Sequence, residues 1–208
     1  MSDSQSTQKY WAQQTPDVEG MMLNDQASEL EELERIEIFS YIPDVSNFQV
    51  LELASGIGRF TGYLASQAEN LVAVDFVEAF LEQNKKRHTK FSNIQYICDN
   101  VKNLTFEKNS KDFIFINWLM MYLEDDEVQS LFTQIHNWLK KDSLFFFRES
   151  CVSPSNPNTH HPHSHYRKPE FYMDLLQSKF SLVKSGHVQI YEKMYNNPNQ
   201  LWWLFRKK

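Results

Sequence analysis

The chain has 208 residues, 41% of them hydrophobic, with 16 Phe, 9 Tyr and 5 Trp, enough for one domain with a substantial core and too apolar for a disordered chain. A net charge of −6 argues against nonspecific nucleic-acid binding and against attachment to an anionic membrane. Cys98 and Cys151 form neither a zinc pattern nor a disulfide framework, no stretch reaches the length of a membrane span, and the N-terminus lacks a signal peptide's apolar region, so a cytoplasmic protein is expected.

Residues 1–8 are polar and read as a short mobile tail. Residues 26–41 carry Leu30, Leu33, Ile36 and Phe39 near helical spacing among many acids, an amphipathic helix. The run over 49–53 is apolar enough for a buried strand and ends in Ala54-Ser55-Gly56-Ile57-Gly58, with a helix expected over 59–68. A second strand over 70–75 ends in Asp75, and a helix follows over 77–88. Short strands are expected at 94–97 and 112–117, a helix from Glu124 to Leu139 with Asp125 and Asp126 in its first turn, and an apolar central strand at 144–147. Residues 150–169 are rich in Ser, Pro, Asn and His without apolar period, a loop long enough to carry function or to be disordered. A helix over 170–179 and two closing strands, 180–191 and 200–206, complete the chain.

This alternation predicts a Rossmann-like α/β domain with a largely parallel sheet. Its ligands sit beyond the carboxyl ends of the strands, which here carry Glu52, Asp75, Asp99, Asn117 and Arg148. Gly56 and Gly58 permit a tight turn and close approach of a ligand to backbone, and the helix start near Arg59 favours anionic or polar groups. Asp75 lies nineteen residues after Gly56, the spacing of an acceptor for ribose hydroxyls. No third glycine completes a dinucleotide fingerprint. The Glu52-Leu53-x-x-Gly56-x-Gly58 pattern looks instead like the first motif of S-adenosylmethionine methyltransferases, with nicotinamide binding as the alternative for this unit.

Seven blocks carry a more specific likeness: Tyr10-Trp11; Val18 to Leu23; Leu51 to Thr61; Val74-Asp75-Phe76; Asn117 to Leu123; Phe146 to Cys151; and His165 to Tyr172. From about residue 9 onward the chain resembles the phosphoethanolamine N-methyltransferase family, and within it the first catalytic domain of the plant enzymes. The resemblance implies a seven-stranded class I methyltransferase sheet with helices on both faces. The implied activity moves a methyl group from S-adenosylmethionine to the nitrogen of phosphoethanolamine, with its monomethyl and dimethyl forms as further acceptors and S-adenosylhomocysteine as product. Residues 9–25 would form a lid and 150–169 a substrate loop. Plant enzymes carry two such domains in tandem, so completion of all three methylations is not implied.

By the same resemblance Gly56, Gly58 and Arg59 line the cofactor's amino-acid end, Asp75 and Phe76 meet the ribose, Asp99, Asn100 and Val101 meet the adenine, and Asn117 lies under the sulfonium. Ser150, Tyr166 and Arg167 would bind the substrate phosphate, with Arg148 and His165 adding donors. Tyr10 and Tyr122 are the candidates for proton relay and lid closure; the alternative for each is an aromatic packed in the core. Ala54 stands where the family has glycine, Asn100 where it has aspartate, and Gln14-Thr15 where it has histidine–serine. A catalytically inactive cofactor-binding partner and a methyltransferase for another small amine, thiol or acid are the other readings. The histidines of 160–165 lack metal-site spacing, so no metal is expected. The expected partners are a small phosphobase and no nucleic acid or stable membrane insertion, with a monomer favoured. Met21-Met22 reads as lid or as a buried helix start.

Overall fold

The structure, a computed structural model, describes residues 3–23, 27–155 and 163–208. Met1 and Ser2 of the expected tail, residues 24–25 of the expected lid and 156–162 of the expected substrate loop, His160 and His161 included, lie outside the described residues.

Seven strands form one sheet: β1 Gln49–Leu53, β2 Asn70–Asp75, β3 Ile94–Cys98, β4 Lys111–Asn117, β5 Leu139–Ser150, β6 Phe180–His187 and β7 Gln200–Lys207, in the order β3-β2-β1-β4-β5-β7-β6. β1 pairs in parallel with β2 on one side and β4 on the other, and β7 lies antiparallel between β5 and β6. The central strands are buried on both faces, which is why they read as apolar runs without alternation. Successive residues still point to opposite faces. Leu51, Leu53, Ile114 and Ile116 enter one core cluster, while Val50, Phe113 and Phe115 enter the other.

Helices cover both faces. α6 Asp125–Trp138 and α7 Pro169–Leu176 pack on the first cluster through Val128, Leu131, Phe132, Ile135, Tyr172 and Leu176. α3 Ala27–Phe39, α4 Thr61–Gln67 and α8 Gln189–Tyr195 pack on the second through Leu30, Ile38, Leu64, Ala65 and Tyr191. α5 Glu78–Arg87 adds Phe80 to a third cluster with Trp11, Ile57 and Val77. Among the described residues no helix is long and apolar enough to cross a membrane.

Several elements differ from the expected ones, β5 among them, which begins at Leu139 and runs to Ser150. Residues 3–8, expected as tail, belong to α1 Asp3–Ala12, which docks through its buried Thr7 and through Trp11. Val18–Met22 forms the short helix α2, capped by the Asp17 side chain on the Gly20 N–H at 2.8 Å. The strand expected to reach 191 ends at His187, and α8 begins two residues later. Val188 and Tyr191, three apart and both buried, share a helix face, whereas in a strand they would point to opposite faces.

The chain runs β1, β2, β3 toward one edge and returns to β4 on the other side of β1. The strand order therefore reverses between β1 and β4, and the crevice at their carboxyl ends is where an open α/β sheet binds ligands.

Candidate active site

A cleft partly open to solvent occupies that crevice. Its floor is Glu52, Ala54, Ser55, Gly56 and Arg59 after β1, Asp75, Phe76 and Val77 after β2, Asn100 and Val101 after β3, and Asn117 to Leu119 after β4. Thr7 and Trp11 from α1 and Met21 from α2 close over it.

The turn after β1 is held from three directions. Its backbone enters the left-handed region at Ala54 (φ 56°), Gly56 (53°) and Gly58 (85°). A Cβ on Gly56 would lie 2.3 Å from the Met21 sulfur, so glycine there admits the covering helix. The Ile57 N–H points at that sulfur, 3.4 Å away. Asp75 Oδ2 accepts the Gly56 N–H at 2.8 Å and Oδ1 accepts the Val77 N–H at 2.9 Å. Each carboxylate oxygen keeps a lone pair for a ligand hydroxyl. From α5, Asn84 donates to Thr61 Oγ1 at 2.9 Å, and Thr61 donates to Glu52 Oε2 at 2.6 Å. His88 Nε2 is 2.8 Å from the Gly58 carbonyl. Burial pushes Glu52 up to about 8 and Asp75 up to about 6.

Several expected site residues are engaged elsewhere. Gly58 does not line the cleft: its missing Cβ makes room for Asn84 Oδ1, 2.4 Å from where it would stand. Asp99 is bound into its own turn, accepting the Asn100 N–H at 2.7 Å and Asn103 Nδ2 at 2.9 Å, which leaves Asn100 and Val101 facing the cleft. Arg148 does not line the cleft: it is fully buried behind Trp118, its guanidinium 3.7 Å from that ring's centre and its Nη2 2.9 Å from Glu34 Oε1, a core ion pair. Ser150 donates to Gln200 Oε1 at 3.0 Å. Arg167 donates to Asp125 at 2.7 Å, to the Met120 carbonyl at 2.8 Å and to the Leu123 carbonyl, so its fork grips the turn at 120–125. His165 donates its backbone N–H to the Met121 carbonyl at 2.7 Å, and its ring lies 3.3 Å from Glu124.

The expected residues that do line the cleft are Gly56, Arg59, Asp75, Phe76, Asn100, Val101, Asn117 and Tyr122. Of these, Asn117 Oδ1 and Arg59 Nη1 are buried without a hydrogen-bond partner, as is Ser55 Oγ beside them. Tyr122 stands edge-on to Trp11 at 5.3 Å. Tyr10 does not line the cleft; it packs on Trp11 at 5.7 Å and on His163 at 6.2 Å. Tyr10 and Tyr166 lie close enough to Tyr122 to disfavour its ionisation, and burial raises all three phenols above the ordinary tyrosine value. Tyr166 Oη and Ser164 Oγ are also buried, and the Ser164 hydroxyl stands close enough to Tyr122 and Tyr166 to offset part of the effect of burial on both. Met21 lines the cleft and Met22 is buried in the core beneath α2, so the two readings of that pair each apply to one residue.

Trp11, Ser55 and Trp118 are cleft residues that spacing alone does not single out. Trp118 adopts φ 55°, a strained conformation for a bulky side chain, and such strain collects at ligand sites.

A family model described as a methyltransferase domain matches residues 50–142, the segment from β1 to the start of β5. Phosphoethanolamine N-methyltransferase of Triticum aestivum is 37% identical over 99% of this chain and 44% of its own length. Phosphoethanolamine N-methyltransferase 1 of Caenorhabditis elegans is 34% identical over 92% of this chain and 45% of its own. The structure of phosphoethanolamine N-methyltransferase 1 from Haemonchus contortus, in complex with phosphoethanolamine and S-adenosylhomocysteine, superposes with a TM-score of 0.92 at 33% identity, over 98% of this chain and 48% of that one. This chain thus spans about half the length of the relatives it matches. Nearly its whole length aligns with about half of each of these proteins on a class I methyltransferase sheet, so the chain carries a methyltransferase domain similar to those of the phosphoethanolamine N-methyltransferases.

Proposed function

We propose that this chain transfers a methyl group from S-adenosylmethionine to the nitrogen of phosphoethanolamine. The observation that carries the reading is the 2.8 Å bond between Asp75 and the Gly56 N–H at the switch point of the sheet. It makes the acid suited to ribose hydroxyls and the turn that flanks the rest of a nucleoside ligand one unit. Sequence similarity to phosphoethanolamine N-methyltransferases over nearly the full chain supports the choice of cofactor and acceptor.

The residues present fit the cofactor. Asp75 offers two remaining lone pairs, Asn100 and Val101 stand beside the place of a base, Phe76 flanks it, and the unpartnered Arg59 Nη1 suits an anionic amino-acid end. The unpartnered Asn117 Oδ1 is an acceptor beside the aromatic wall of Trp11, Trp118 and Tyr122, a lining suited to a soft cation. S-adenosylmethionine, when bound, supplies an electrophilic methyl group. The protein supplies orientation and exclusion of water.

The acceptor amine must release a proton before its lone pair can attack. Tyr122 and Tyr10 keep their own protons at neutral pH, because burial raises both phenols. Tyr122, which lines the cleft, therefore orients the amine as a neutral hydrogen-bonding group, and the proton leaves to water. Tyr166 Oη and Ser164 Oγ, buried hydroxyls beside Tyr122, are the donors offered to the phosphate. Residues 9–25 act as the lid and 150–169 as the acceptor loop.

Mass-resolved product analysis with phosphoethanolamine and ethanolamine tests the proposal. A singly methylated product from phosphoethanolamine, with far slower turnover of ethanolamine, is expected. Equal turnover of both would remove the phosphate from recognition, and cofactor binding without product would make the chain a non-catalytic partner.

A further inference from the structure

Glu34 lies on α3, far from the glycine turn in sequence, yet it is fully buried beside it. Its Oε2 takes Arg59 Nη2, and its Oε1 faces Arg148 Nη2 at 2.9 Å and accepts the Tyr191 hydroxyl at 2.7 Å. Arg59, Arg148 and Tyr191 are themselves 3% exposed or less. One buried carboxylate thus serves two buried guanidinium ions. Glu31, its side chain 13% exposed, accepts Arg59 Nε at 3.4 Å. Arg59 lines the cleft, and its Nη1 has no partner.

We infer that Glu34 is a positioning residue that aims Arg59 Nη1 into the cleft as the receptor for the carboxylate of the cofactor's amino-acid end. The inference rests on the cofactor reading above. Glu34 holds Nη2 and Glu31 holds Nε, which leaves Nη1 for the ligand. Arg148 and Tyr191 hold Glu34 in turn, so α3, β5 and α8 all set the angle of one donor. A purely structural ion pair would affect every ligand of the cleft alike; this one acts on the ligand's carboxylate.

The test is calorimetry of the full chain with S-adenosylhomocysteine and with S-adenosyl-3-thiopropylamine, which keeps the amine and lacks the carboxylate. The wild-type protein is expected to favour the carboxylate-bearing ligand by about tenfold or more, the scale of one charge-assisted hydrogen bond. Glu34→Gln is expected to lose most of that preference by weakening S-adenosylhomocysteine while leaving the amine ligand nearly unchanged. Tyr191→Phe, which removes one hydrogen bond and no charge, is expected to lose part of it and serves if the glutamine variant does not fold. Equal weakening of both ligands, or an unchanged preference in the folded variants, would overturn the role of Glu34 while leaving the cofactor reading in place. A wild-type protein that binds neither ligand would overturn the cofactor reading and this inference with it.

Discussion

Glu149 and Arg167 hold the same turn with opposite chemistry. The Glu149 carboxylate accepts the N–H groups of Leu119 at 2.9 Å, Met120 at 2.7 Å and Met121 at 3.3 Å, while Arg167 donates to the carbonyls of Met120 and Leu123. The turn carries Leu119, Tyr122 and Leu123 into the cleft. Both residues therefore act through the shape of the pocket wall.

Arg167→Ala should lower stability by about 2–3 kcal/mol, because it strands buried carbonyls that now receive charged donors. It should weaken cofactor and acceptor together, since the turn borders the whole cleft. Arg167→Lys should recover little, as an ammonium cannot span three acceptors with a planar fork. Thermal melts with calorimetry for both ligands check this. A raised acceptor KM alone, with stability and cofactor affinity intact, would return Arg167 to direct phosphate binding.

Ala54 sits at φ 56°, where a glycine is free of penalty and an alanine Cβ is not. Its methyl packs on the core cluster beneath the sheet end. Ala54→Gly should raise stability by about 1 kcal/mol, the balance of relieved left-handed strain against the greater freedom of glycine in the unfolded chain. Denaturant unfolding measures it. A loss of stability would mean the methyl's packing outweighs its strain.

Three buried acids are held above their ordinary values by burial: Asp75 at about 6, Glu149 at about 7 and Glu52 at about 8. The native state therefore keeps protons that the unfolded chain has released. Where the native state binds more protons, stability falls as pH rises. The decline should begin above the ordinary carboxyl values of 3.8 to 4.5 and be complete by about pH 8. Glu34, held below its ordinary value by its two arginines against the effect of burial, acts in the opposite sense and destabilises the fold only in acid. Melting temperatures across this window should fall toward alkaline pH, and Glu52→Gln should flatten the upper part of the curve. A curve that rises from pH 5 to 8 would contradict the burial of these groups.

Much of the frame is legible in the chain. β1 and β2 fall on the expected residues because continuous apolar runs between turn residues leave little latitude. α1 is not legible: its polar residues carry no strong period, and it is held by Trp11 and Thr7 reaching across the cleft. The site divides the same way. Asp75 and Gly56 are readable because their partnership is built into a short β–α–β unit. Arg148 and Arg167 are not, since a sequence shows a charge and not its counter-ion. Glu34, which claims Arg148, sits among many acids of an amphipathic helix, and Asp125 and two carbonyls claim Arg167. Asp99 and Asn100 differ only in register at a strand end, which turn hydrogen bonds decide.

A crystal of the protein soaked with S-adenosylhomocysteine tests the central claim most directly. The account predicts the ribose on Asp75, the base beside Asn100 and Val101, and the amino-acid end over Gly56 toward Arg59. Density for the ligand at another place, or a cleft that remains filled by Met21 and Trp11 at saturating ligand, would contradict it.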